Sequence, residues 1–317
     1  MLERCVQYKT NEHYVCIMEH CYLCKTPLSE DNISVEHIIP NSIGGRLKST
    51  SLLCRQCNSK TGELYDGVFA RIGNILANKY NIKREKGSVP NFIATEVKSQ
   101  KEIIVKPGSV IYYLEPEITH GDGYSIIHAY SKERILQEVN RLNKEIGEGK
   151  IRVEDLTFEK VYNYAPKDYV YETIVEPDLF FRAISKIMIN FYIAKTKDAE
   201  TVEKVIEFIR TDTLNNFSWF YDLNISEHSH NSNPYHILIV KGSQKQKALY
   251  GYFELFGRKG FVTLLNGRYT GPEIQLEYTF DPINLKEINY QYTFSLNIAD
   301  LIQLIHSKPN LDIIHDF

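Results

Sequence analysis

The 317-residue sequence has no cysteine beyond residue 57, although it carries six in all. It has no run approaching the roughly 18 to 20 apolar residues of a membrane span. Its most apolar stretch, LFFRAISKIMINFYIA, is interrupted by Arg182 and Lys186. The opening residues, MLERCVQYKTNEHYVC, lack the apolar core of a secretory leader. There is no internal repeat and no low-complexity segment. Strong charge of one sign is also missing: the formal net charge is −3, so no global field draws the chain to nucleic acid or to a membrane. These absences describe a soluble, cytoplasmic protein without disulfides, in which paired cysteines read as metal ligands.

What is present fits one large globular domain or two ordinary ones, with 43% hydrophobic and 24% charged residues. The small net charge hides an asymmetry. Residues 1–86 carry 12 Lys+Arg against 9 Asp+Glu, whereas the remainder carries 25 against 31. The first segment is therefore weakly basic and the second acidic.

The cysteines Cys21, Cys24, Cys54 and Cys57 form two CxxC pairs separated by 29 residues. Each CxxC turn offers two thiolates at the reach of two corners of a tetrahedron, so four close a structural Zn²⁺ site with no open position. Cys5 and Cys16 lack that spacing and read as ordinary thiols; His13 and His20 are nearby, but four thiolates suffice. Between the pairs, ISVEHIIP alternates as a strand that carries Glu36 and His37 and stops at Pro40 and Gly44-Gly45. After the second pair, NSKTGELYDGVFARIGNIL reads as a helix with Leu64, Val68, Ile72 and Ile75 on one face and Asn58 near its start. The order strand, strand-like SLLC, helix, pinned at its base by zinc, brings His37 across from Asn58.

The pattern CxxC, EH, CxxCN resembles the HNH, or ββα-metal, endonucleases, in particular standalone bacterial members and those of the endonuclease VII type. The resemblance covers residues 21 to about 65. It implies that His37 is a general base and that Glu36 and Asn58 hold one catalytic divalent ion, Mg²⁺ or Mn²⁺. Elementary chemistry agrees. Phosphodiester hydrolysis needs an activated water and a cation on phosphate; imidazole takes protons near neutral pH; carboxylate and amide oxygens are hard ligands suited to Mg²⁺. Structural alternatives stand beside these roles: a core histidine supporting the zinc knuckle, an exposed strand-end carboxylate, and a helix N-cap at Asn58. Two positions depart from the common family pattern, Glu36 in place of Asp and Ser49-Thr50-Ser51 where an Asn often ties the active loop. Arg46, Lys48, Arg55 and Lys60 flank the site as candidate phosphate contacts.

The remaining chain reads as mixed α+β. NIKREKGSVPN, residues 81–91, has the composition of a linker. Short β runs (KEIIV, VIYYLE) and the helical KERILQEVNRLNKEI follow. A helix opened by Pro177 places Phe180, Ile184, Ile187, Met188 and Phe191 on one face, and another groups Val202, Val205, Ile206 and Ile209. HILIV, ALYGYFELF, FVTLL and IQLEYTF then read as antiparallel strands, and ADLIQLIH as a short helix. Residues 236–270 hold Lys241, Lys245, Lys247, Arg258, Lys259 and Arg268 against Glu254 alone, interleaved with Tyr250, Tyr252 and Tyr269. That composition suits a nucleic-acid-gripping surface or solubilising hairpin tips. His228 and His230 lie in a polar loop.

The combined expectation is an α+β protein with an HNH nuclease domain over 1–86 and an α+β domain over 87–317 for substrate recognition, partner docking or activation. The expected activity is cleavage of DNA, or of RNA, in bacterial restriction or phage defence, with a second copy of the chain (a homodimer) as a candidate partner and no membrane. The competing readings are a non-catalytic zinc module that binds nucleic acid, and a nuclease silent until a partner or signal engages the C-terminal part.

Overall fold

A computed structural model describes residues 8–10, 13–15, 20–161, 163–164, 168–173, 176–211, 216–221 and 234–306. Cys5, Cys16, His228 and His230 lie outside the described residues. The fold is α+β, and the chain forms two compact units. Among the described residues, one comprises the segment up to Gly73, Lys83–Lys86, and the chain from Glu176 onward. The other comprises Asn74–Ile82 and residues 87–173. The expected boundary between 86 and 87 is not where the units part. Residues 176–306 pack with the cysteine-bearing segment, and the linker-like stretch contributes residues 83–86 to that same unit.

In the first unit a two-stranded ribbon, β1 (Glu36–His37) and β2 (Lys48–Ser49), pairs antiparallel. Its connection turns tightly at the two glycines. Gly44 sits at φ 86°, and a Cβ on Gly45 would lie 1.9 Å from the Ile39 carbonyl oxygen, so both positions require glycine. Helix α1 (Arg55–Thr61) follows, then one π-type turn over Gly62–Asp66, then α2 (Gly67–Ile72). The π turn corrects the expected helical face. It adds one residue to the turn, so Leu64 points outward at 40% exposure while Tyr65 is buried with Val68, Phe69 and Ile72.

Helix α3 (Pro177–Thr196) begins at Pro177 as the sequence suggests. The anticipated apolar face is buried, and so are Arg182, Ser185, Lys186 and Asn190. A helix buried all round lies between two layers. One layer is a six-stranded antiparallel sheet of β3 (Ser218–Tyr221), β4 (His236–Ser243), β5 (Ala248–Leu255), β6 (Lys259–Asn266), β7 (Ile274–Asp281) and β8 (Lys286–Glu287), in the order β3-β6-β5-β4-β7-β8. Met188 of α3 reaches Gly251 of β5, where a Cβ would meet its terminal methyl at 2.3 Å. The other layer is the cysteine-bearing segment, whose Phe69 meets Phe180 of α3 and Phe253 of β5 at 6.1 Å between ring centroids. Helix α4 (Glu203–Arg210) adds Val205, Ile206, Phe208 and Ile209 to the core, and α5 (Ile298–His306) closes the described chain.

The second unit has a five-stranded antiparallel sheet built on 92–96, 102–106 and 110–113, with short strands 163–164 and 169–170 at its edges. Phe92, Ala94, Ile103, Val105 and Ile111 form its core. It also holds the hairpin Glu117–Gly121/Tyr124–His128 and the helix Lys132–Ile146, which Ser131 caps by accepting from the Arg134 N–H.

His236 at the start of β4 joins the sheet to the turn of the cysteine-bearing segment. Its Nε2 donates to the Ile43 carbonyl at 2.9 Å, and it is fully buried. Burial pushes its pKa down to about 4. The unfolded chain, with an ordinary histidine pKa near 6.5, binds the extra proton between those values. Stability is therefore complete above about pH 6.5 and declines as pH falls toward 4, by about 3 kcal/mol in all. His236→Gln should flatten the dependence of unfolding free energy on pH across that window, measured by denaturant titration at several pH values.

Candidate active site

The sulfur ligands assemble first. Cys21 and Cys24 sit on a tight turn in which Lys25 takes a left-handed conformation (φ 59°) and its N–H returns to the Cys21 carbonyl at 2.8 Å. Cys54 caps α1 and Cys57 lies in its first turn. The Sγ atoms of all four lie within 4.8 Å of one another. The 3.7 Å between Cys24 and Cys54 is close to the edge of a tetrahedron with arms of about 2.3 Å, the Zn–S distance. Burial raises the pKa of Cys21 and Cys57, whereas hydrogen bonding with Thr26 outweighs burial at Cys24 and brings it down to about 6; a cation among the four sulfurs would favour the thiolate form. The donor set fits a structural Zn²⁺. Among the described residues this is the one cluster of three or more His, Cys, Asp or Glu ligand atoms.

This knuckle pins β1 to α1. The Ile33–Cys54 bridge and the Arg55 N–H to Asn32 carbonyl bond at 2.7 Å join the two CxxC arms. Asn58 is not the helix N-cap, which is Cys54. Its Nδ2 reaches across to the Ser34 hydroxyl at 2.8 Å and the Val35 carbonyl at 3.1 Å. Asn58 thus ties α1 to the residues just before Glu36. Ser49 and Ser51 bond each other at 3.2 Å in the next turn, so hydroxyls tie this part of the loop.

Adjacent residues of a strand project to opposite faces, and that separates the Glu-His pair. Glu36 points inward and is 1% exposed. Its Oε1 accepts from Lys186 Nζ at 2.7 Å and from Asn190 Nδ2 at 2.8 Å, both on α3 one turn apart. Lys186 also meets Asp66 at 3.0 Å, and Asn190 accepts from the Tyr22 hydroxyl at 2.8 Å. Burial raises the Glu36 pKa against the opposing pull of Lys186. For Lys186, burial is outweighed by Glu36 and Asp66, and its pKa is raised.

His37 points outward with its side chain 20% exposed. Cross-strand pairing sets Lys48 beside it. Both reach the same oxygen of Glu85, His37 Nε2 at 3.0 Å and Lys48 Nζ at 2.6 Å. Hydrogen bonds from these two partners pull the Glu85 carboxyl down to about 2. Glu85 escaped the sequence reading because it is 48 residues from His37 in a stretch with linker composition. The charge alternation of KREK carried no signal of a docked strap.

The flanking cations divide. Arg46 is committed to the Lys83 carbonyl at 2.6 Å and Lys48 to Glu85, whereas Arg55 and Lys60 are exposed on α1 and line an open cleft with Asp31, Asn32 and Glu63. The expected basic, aromatic sheet surface does not form. Tyr250 and Tyr252 are fully buried and Tyr269 is 4% exposed. Lys241 donates to the Phe294 carbonyl at 2.8 Å. Lys245, Lys247 and Arg268 lie at one end of β5, with Arg258 and Lys259 at the other. An eight-residue strand separates them by roughly 27 Å. A cavity of about 1050 Å³ is lined by Trp219, Asn216, Arg268 and His306 among others, and by no residue of 20–73.

With this geometry in place, the comparison with known families is decisive for one segment: residues 21–71 match the model of the HNH endonuclease family. Over that segment the chain is similar to the HNH endonucleases. No curated protein and no solved structure matches the chain. The HNH match begins at the first zinc-site cysteine and ends in α2, so it spans the knuckle, the Glu36-His37 ribbon and Asn58.

Elemental analysis is expected to give one zinc per chain, and Cys54→Ser to lose both the metal and the folded module, since small zinc modules draw much of their folding free energy from the ion. Lys186→Ala leaves Glu36 buried without its ammonium. It should lower the unfolding free energy by about 3–5 kcal/mol, with part of the loss recovered in the double variant carrying Glu36→Gln, as read from denaturant melts.

Proposed function

We propose that the protein is an endonuclease that hydrolyses phosphodiester bonds of DNA, with His37 as the general base, and that it serves restriction or phage defence in the bacterial cytoplasm. The observation that carries this reading is His37 itself. It stands on the outer face of a zinc-pinned ribbon within the HNH match, and no group among the described residues meets its Nδ1. Nδ1 takes the proton of the attacking water, and Arg55 and Lys60, exposed on α1, are the cations offered to a DNA backbone. Cleavage of both strands would take two copies of the site, most simply a twofold dimer.

Family resemblance adds Mg²⁺ or Mn²⁺ held by Glu36 and Asn58, which would stabilise charge on the phosphate. Glu36 as found does not fit that task. Its carboxylate is enclosed, and an ammonium and an amide already occupy it. The proton-transfer step is assigned to His37 alone. The same observation favours a second reading, a latent nuclease in which α3 holds Glu36 until a partner or signal loosens it. No described helix is long and apolar enough to cross a membrane.

Incubating the zinc-loaded protein with supercoiled plasmid and Mg²⁺, Mn²⁺ or EDTA tests these readings. Metal-dependent nicking that falls about 10²- to 10⁴-fold in His37→Ala, with zinc content and melting unchanged, supports the endonuclease. No cleavage by an intact protein supports latency, and a gel shift without cleavage supports a binding module.

A further inference from the structure

Residues 83–86 reach the catalytic ribbon as a strap fastened at several points. The Asn41 side chain accepts from the Glu85 N–H at 2.8 Å and donates to the Lys86 carbonyl at 3.2 Å. Arg46 donates to the Lys83 carbonyl at 2.6 Å, and its other amino group approaches Asn41 Oδ1 at 3.5 Å. Asn41 and Arg46 belong to the turn between β1 and β2. The turn that follows His37 thus supplies the anchors that bring Glu85 back onto His37. Three polar groups of the strap backbone are satisfied in this way, and the one acidic side chain so delivered meets the imidazole.

We propose that Glu85 is a positioning residue for His37: its carboxylate accepts the Nε2 hydrogen, which fixes the ring's orientation and tautomer and leaves the Nδ1 lone pair as the base. The proposal rests on the reading of His37 as the general base. A carboxylate has no hydrogen to give, so the Nε2 atom facing it at 3.0 Å must carry one. A hydrogen bond on one imidazole nitrogen decides which form the other takes. Lys48 shares the same oxygen and holds the carboxylate in place from the neighbouring strand. No atom of Glu85 needs to touch substrate. In this chain the strap supplies the carboxylate.

The test uses full-length, zinc-loaded protein labelled with ¹⁵N-histidine, with the His37 signals identified by their loss in His37→Gln. Long-range proton–nitrogen correlation spectra of the neutral ring should show the Nε2–H form in wild type. Glu85→Gln, which keeps an acceptor, should retain that form; Glu85→Ala should give a mixture of both tautomers. On plasmid, Glu85→Ala should lower kcat about ten- to a hundred-fold with KM unchanged, the scale on which an oriented histidine suffers when its partner is lost, and Glu85→Gln should restore part of it. An unchanged pure Nε2–H signal in Glu85→Ala overturns the proposal, as does cleavage that rises in that variant, which would make Glu85 a plug on the base. The tautomer measurement needs no activity, so it decides the role of Glu85 even if His37 proves not to serve in a nuclease.

Discussion

Lys186 places a positive charge in the interior, 2.7 Å from Glu36 and 3.0 Å from Asp66, and the first unit is arranged around the need to satisfy it. A buried ammonium is tolerated only with close, hydrogen-bonded counter-charges. Glu36 comes from the ribbon, Asp66 from the π turn, and Lys186 from a helix more than a hundred residues later in the chain. Each element must be in place for the others to keep their charges. Asn190, one helical turn on, completes the network by bridging Glu36 to Tyr22 of the zinc knuckle. The ion cluster thereby couples the knuckle, the ribbon and the central helix into one body.

The zinc site and the ion cluster act on opposite sides of the same ribbon. The Ile33–Cys54 bridge and the Asn58 clamp set the distance between β1 and α1 beside a four-cysteine cluster that fits zinc. The cluster sets which face of β1 turns inward. Once Glu36 is committed to the interior, strand geometry leaves His37 no alternative but the surface, where Lys48 and Glu85 meet it. The outward presentation of the histidine is thus a consequence of where the glutamate is held.

The contrast between α3 and the cysteine-bearing segment shows why a helix with charged residues can be central. Its Phe180 and Met188 meet Phe261 and Gly251 of the sheet, while Lys186 and Asn190 meet Glu36 of the ribbon. The two sides are covered by different partners. A sequence window sees only a mixed helix, because the acids that neutralise Lys186 are remote in the chain.

Much of the module was legible locally. The two CxxC pairs, their spacing and the EH and CN dipeptides specify ligand chemistry through short-range geometry, and the HNH match covers those residues. The strands from 236 to 281 and the helix at Pro177 were readable because alternation and a proline at N1 are local signals. Three features were decided only in the folded chain. The π turn moved the buried face of the helix from Leu64 to Tyr65, since one inserted residue changes the phase without changing the composition. The apparent sheet-surface tyrosines turned out to be core, because the layer that covers them is contributed by distant segments. Glu85 and Lys186, the charged groups that meet His37 and Glu36, are 48 and 150 residues away from these partners in sequence. Residue type and spacing determined what chemistry the chain carries; only tertiary packing, by closing long loops onto a buried ion cluster and a docked strap, decided which side of the ribbon presents it.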